Sequence, residues 1–172
     1  MNKTVLNTIR FVVLILSQVL IVNHIRLGGY VNVHIYILFL MLLPLDLPKW
    51  QLLLAGFLMG LTIDVFMGTL GLHAGASVFM AFCRPSIVGL VSSGVKIEKN
   101  ASPSISLLGG AWFFRYTMLM VLAHDVALFL LETFSYRLLG QACIRLLCSA
   151  PISIFVIMIL MLLFKNEKTS KK

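Results

Sequence analysis

Long apolar runs follow one another with so little between them that no soluble domain has room to form, and this succession constrains the chain more than any other feature. A membrane-spanning helix needs roughly 20 mostly apolar residues, fewer when packed within protein. On that criterion six candidate spans emerge, at about 9–25, 31–43, 51–67, 70–91, 112–131 and 142–164 of 172 residues. The chain is 60% hydrophobic and 12% charged, with a mean hydropathy of +1.01, against a charged share of roughly a quarter in soluble domains. The predicted fold class is therefore all-α: one polytopic membrane helix bundle of six transmembrane helices, residues 1–172, with lipid as its solvent.

The second segment, 31–43, is short, and Pro44 and Pro48 bracket its end, so it reads as a tilted span, a span across thin membrane or a re-entrant piece. Residues 68–71 leave so tight a gap that the third and fourth helices must form an antiparallel hairpin. With six spans, Lys3, Arg10, Lys49, Lys96, Lys99, Arg115 and the four lysines after Phe164 fall on one side, and Arg26, Arg137 and Arg145 on the other. The positive-inside rule then predicts a multi-pass inner (cytoplasmic) membrane protein with both termini cytoplasmic. If segment 31–43 failed to cross, Lys96 and Lys99 would lie opposite Lys3. Lys3, Arg10 and the run 11–22 resemble a signal peptide without a small-residue cleavage site, so an uncleaved anchor is expected. The net charge of +8 is scattered rather than gathered into a patch, which argues against nucleic acid, and the basic tail suits anionic lipid headgroups.

Ionisable side chains inside spans are costly and hence functional candidates: Asp64, His73, Arg84, His124 and Asp125. Gly56, Gly60 and Asp64 recur every four residues, so they share one helix face that is smooth and then polar. Gly68, Gly71 and Gly75 follow, and Gly71 with Gly75 is the expected counter-surface for that face. Asp64 and His73 stand close enough to the turn to meet. Arg84 precedes Pro85 beside an expected kink, free to snorkel or to pair with Asp125. His124 and Asp125 lie about 100° apart on their helix, and Asp125 is the one expected to face the interior. Cys83, Cys143 and Cys148 form no CxxC pair and suggest neither disulfide nor metal. Two intramembrane aspartates raise an aspartyl protease, but the GxGD pattern is missing, and no Gly-x-Ser-x-Gly, HExxH or phosphate-binding loop occurs. No enzyme, no cofactor and no metal are expected.

The stretch Gly60-Leu-Thr-Ile-Asp64-Val-Phe-Met-Gly68-Thr-Leu-Gly71-Leu-His73-Ala74 resembles the signature region of the rod shape-determining MreD family. Its continuation through Arg84-Pro85 is similar to the version found in Bacteroidetes members, and residues 52–85 carry the specific likeness. Many family members have a proline between the turn glycines, where this chain has Thr69-Leu70. The resemblance implies a non-enzymatic component of the cell-elongation machinery that binds MreC. Through MreC it would work with MreB, RodA and an elongation-specific penicillin-binding protein to organise side-wall peptidoglycan synthesis. It also implies a fold like the six-helix substrate-binding subunits of energy-coupling-factor vitamin transporters, which supplies the rival function. Those subunits often carry small-residue motifs on their first helix, and here only Ser17 is small.

Overall fold

The structure, a computed structural model, describes residues 3–22, 32–94, 101–132 and 139–166; the expected basic sites Lys96, Lys99, Arg26 and Arg137 lie outside these residues. Seven helices follow in order: α1 (Lys3–Leu20), α2 (Leu38–Leu42), α3 (Lys49–Met67), α4 (Leu72–Val91), α5 (Ile105–Leu108), α6 (Gly110–Glu132) and α7 (Leu139–Asn166). The described residues are helical with no strands, in keeping with the all-α expectation. Among the described residues, four stretches are long and apolar enough to cross a membrane: Lys49–Met67, Leu72–Val91, Gly110–Glu132 and Leu146–Leu163. Helical rise makes α3 about 28 Å long, close to the hydrocarbon thickness. Apolar surface goes all round these helices, so the exposed side chains of α3, among them Trp50, Leu54, Phe57, Val65 and Phe66, suit lipid rather than water.

The first two segments differ from their expected form. Helix α1 begins six residues earlier than the expected 9–25 and stops at Leu20, and its apolar stretch Val5–Leu20 is shorter than the four long helices. Residues 32–35 have no regular secondary structure, Tyr36 and Ile37 turn, and only Leu38–Leu42 is helical. The described part of the expected segment 31–43, residues 32–43, is thus a broken element, not a regular spanning helix, although residues 34–43 are all buried at the centre of the bundle.

A broken element can lie at membrane depth only where protein satisfies its backbone. Gln18 of α1 does much of this: its Nε2 donates to the Val33 carbonyl at 2.8 Å, and its Oε1 accepts from the N–H groups of Ile35 at 2.8 Å and Tyr36 at 3.4 Å. From α7, Ser149 Oγ accepts from Asn32 N–H at 2.9 Å and Ser153 Oγ from His34 N–H at 3.1 Å. Contacts also fix direction. Gln18 meets Val33 while the Phe11 and Phe39 rings sit 5.2 Å apart edge to face, so α1 and 32–42 run antiparallel.

The hairpin of α3 and α4 turns through Gly68 and Gly71, both left-handed, with φ of +67° and +83°. Those conformations favour glycine at both turn positions. The smooth face of α3 meets α4, but not through the expected glycine pair. A methyl group on Gly60 would collide with the His73 carbonyl and stand 2.5 Å from Ala74 Cα, while one on Gly56 would meet the Ser77 carbonyl at 3.0 Å and Ala81 Cβ at 3.2 Å. Gly75 instead faces Leu131 of α6, and Gly71 has open space around it. Helix α4 thus lies between α3 and α6, small residues on both of its sides. Antiparallel packing of α4 and α6 follows from Gly75 against Leu131 at one end and Trp112 Nε1 donating to Ser92 Oγ, 3.1 Å, at the other.

Candidate functional site

Eleven polar or charged residues are buried in the described part of the chain, a heavy load for a bundle in lipid, and most of them gather at three levels. The level nearest the hairpin turn belongs to Asp64. Its Oδ1 accepts from the Thr69 hydroxyl, from His73 N–H at 3.1 Å and from His73 Nδ1 at 3.0 Å, and its Oδ2 accepts from Ala74 N–H at 2.9 Å. Two of these donors are amides of the first turn of α4, which lacks carbonyl partners for them. Asp64 therefore works as the cap of the next helix, reaching across the turn, and the meeting of Asp64 and His73 expected from the sequence is present.

One level deeper lies the second centre. His34 Nδ1 and His124 Nδ1 stand 3.0 and 2.9 Å from the same oxygen, Asp125 Oδ1, and the Tyr36 hydroxyl donates to His124 Nε2 at 2.5 Å. With Asp125 ionised its oxygen accepts from both rings, which assigns a proton to Nδ1 of each imidazole and leaves His124 Nε2 to accept from Tyr36. The His34 and His73 rings are 6.2 Å apart and the Tyr36 and His73 rings 6.1 Å, so the two centres touch. Asp125 Oδ2 is buried and has no hydrogen-bond partner among the described residues. A small cleft reaches Asp125 and His34 between α6 and α7, lined also by Asn32, Glu132 and Ser149.

The third level lies at the opposite end of the bundle, around Arg84. Its Nε donates to the Tyr116 hydroxyl at 2.8 Å, Nη1 to the Pro44 carbonyl at 3.2 Å, and Nη2 to the carbonyls of Leu43 and, at 3.4 Å, Met41. Tyr116 in turn donates to Met41 O at 3.1 Å. Arg84 thus caps the C-terminal end of α2, where a helix stops in the protein interior with its carbonyls free. It does not pair with Asp125, as was one expectation, nor does it snorkel: it is 2% exposed. Pro85 lies inside α4, exposed toward the bundle's outer surface, where it leaves the Ala81 carbonyl without its helical donor.

Of the residues singled out by sequence, Asp64 and His73 share one centre, Gly56 and Gly60 form the contact beneath it, and Asp125 anchors the second. His124, the residue expected to face away, is 0% exposed and joins Asp125, because α6 is covered on two adjacent sides. Sequence reasoning passed over His34, Tyr36, Gln18, Ser149 and Ser153. Signals for them exist: His34 and Tyr36 are two apart, which puts side chains of an extended chain on one side, and Ser149 and Ser153 are four apart on a helix. Among the described residues, His34, His124 and Asp125 are the group whose ligand atoms converge closely enough to hold a metal ion. The chain matches no known family model, no curated protein and no solved structure with which it was compared.

Proposed function

We propose that this chain is a non-enzymatic, six-pass component of the bacterial rod-shape machinery, of MreD type, which binds MreC and so assists side-wall peptidoglycan synthesis by MreB, RodA and the elongation-specific penicillin-binding protein. The observation that carries this reading is the hairpin lock. The stretch that bears the family resemblance is the one in which Gly60 meets the α4 backbone and Asp64 spends both oxygens on Thr69, His73 and Ala74. An aspartate so engaged stiffens a packing surface, which is what a partner-recognition scaffold requires. Adjacent to it, α1 and α3 contact each other and carry outward apolar side chains such as Val13, Leu16, Leu54 and Leu58, a surface suited to a single partner helix.

Six crossings are supported by the alternation of direction from α1 through 32–42, α3, α4, α6 and α7, with the broken segment as the second pass. Both termini then share the cytoplasmic face of the inner membrane, as the basic residues favour. One observation favours a second reading, a small-molecule-binding subunit of the energy-coupling-factor type: the polar cleft at Asn32, His34, Asp125 and Glu132. Affinity purification in mild detergent from the native host separates the two. Recovery of MreC with cell-wall synthases is the expected result; paired ATPases with a coupling subunit would replace the scaffold by a transporter. The Gly60→Leu variant, which forces α3 from α4, is expected to lose MreC.

A further inference from the structure

We propose that His34, His124 and Asp125 form a binding site for a divalent transition metal of the zinc class. Their ligand atoms all lie within 4.8 Å of one another, and all three side chains are buried. Nδ1 of His34 and Nδ1 of His124 approach the same carboxylate oxygen at 3.0 and 2.9 Å. Ligands held about 2.0–2.1 Å from a tetrahedral zinc ion stand roughly 3.4 Å from each other. Widening the two N–O separations by about 0.4–0.5 Å brings them to that spacing, where the two imidazoles now crowd one carboxylate oxygen. Two imidazoles with one carboxylate are a donor set suited to zinc and its neighbours rather than to calcium or magnesium.

Three further observations point to an ion rather than a self-contained hydrogen-bond cluster. Asp125 is 3% exposed in its side chain, yet Oδ2 has no hydrogen-bond partner among the described residues, a lone pair left over in an apolar bundle. His124 is held from behind by the Tyr36 hydroxyl at 2.5 Å from Nε2, the outer-sphere support that metal-ligating imidazoles commonly have. On binding, both imidazoles shift their proton from Nδ1 to Nε2, which frees each Nδ1 lone pair for the ion; at His124 the hydrogen bond to Tyr36 then reverses, with the phenol oxygen accepting. Finally, the cleft at Asn32, Ser149 and Glu132 leaves one side of the triad open, so a water or an incoming ligand can take the fourth position, and Glu132 draws a cation toward it. Composition does not signal this site, because its first ligand lies in the broken segment and the other two are neighbours in sequence.

The test uses the full chain with a histidine-free tag, purified in mild detergent, stripped with a chelator and titrated with Co²⁺. Expected are one equivalent of Co²⁺ per chain with visible ligand-field absorption, displacement of that absorption by Zn²⁺, and a rise in unfolding temperature with Zn²⁺. His34→Gln and His124→Gln each weaken binding more than about tenfold, and Tyr36→Phe, which keeps all three ligands, weakens it about tenfold. A variant with Cys83, Cys143 and Cys148 all replaced by Ser binds as the wild type does. Absence of stoichiometric uptake by the folded wild type overturns the proposal whatever the variants do. So does unchanged uptake by His34→Gln, or loss of uptake in the cysteine-free variant.

Discussion

Gly56, Gly60 and Gly89 all sit in long helices, and what surrounds each decides what a methyl group would do there. At Gly60 the obstacle is backbone, the His73 carbonyl and Ala74, which cannot swing aside as a side-chain tip can. Gly60→Ala is expected to destabilise the protein by about 1–3 kcal/mol, the usual range for overpacking. Gly56→Ala meets its neighbours at 3.0–3.3 Å and should cost less, since a shift of a few tenths of an ångström relieves it. Gly89 has nothing within 4 Å, so Gly89→Ala should stabilise by about 0.5–1 kcal/mol through helix propensity alone. Unfolding in mixed detergent–SDS micelles reads all three; an equal effect at Gly60 and Gly89 would mean that α3 and α4 do not approach as closely as described. The four-residue ladder from Gly56 to Asp64 was legible in the sequence because helical periodicity is a local property. Which surface faced it was not, since Gly71, Gly75 and Ala74 are equally small and only tertiary packing selects among them.

Among the elements, segment 32–43 holds the lesson about what hydropathy can and cannot reveal. Its apolar character marks it as a short membrane segment in the sequence, and Pro44 marks its end; that it is buried at the centre of the bundle is seen only in the structure. That it breaks into an irregular half and a five-residue helix depends on partners far along the chain: Gln18 before it, Arg84, Ser149 and Ser153 after it. No window of residues contains that information. The dependence makes a prediction in which volume and charge act separately. Gln18→Leu keeps the volume but orphans the Val33 carbonyl and the Ile35 and Tyr36 amides, and each buried unpaired group costs about 1–3 kcal/mol. Arg84→Lys keeps the charge, but an ammonium cannot span the carbonyls of Met41, Leu43 and Pro44 and the Tyr116 hydroxyl together. Both variants should unfold at lower SDS fraction than Ser106→Ala, at an exposed site, and Arg84→Lys should do so although it is conservative by charge. Wild-type stability in Arg84→Lys would show that α2 ends without its cap.

For the whole molecule, the proposed path makes the broken segment count as a crossing, and the sidedness of everything after it hangs on that. Residues 32–35 can advance up to about 3.3 Å each, and the turn and helical residues 36–42 about 1.5 Å each, roughly 24 Å together, most of the hydrocarbon thickness. Its two ends are tied to opposite ends of the bundle: Asn32 and His34 to the part of α7 nearer the hairpin, and Leu43 and Pro44 to Arg84 in the far half of α4. Three crossings then separate the N-terminus from the hairpin turn, so the two face opposite sides; were the segment re-entrant, only two would, and they would share a side. In the cysteine-free background, Thr69→Cys should react with a membrane-impermeant maleimide added outside intact spheroplasts, whereas Gly94→Cys and a cysteine placed before Lys3 should react only after permeabilisation. Labelling of the N-terminal cysteine and Thr69→Cys from the same side would return segment 32–43 to a re-entrant role and take the six-pass proposal with it. Labelling from opposite sides would put the centre at His34, His124 and Asp125 in the half of the membrane facing the cell wall, within reach of whatever the periplasm supplies.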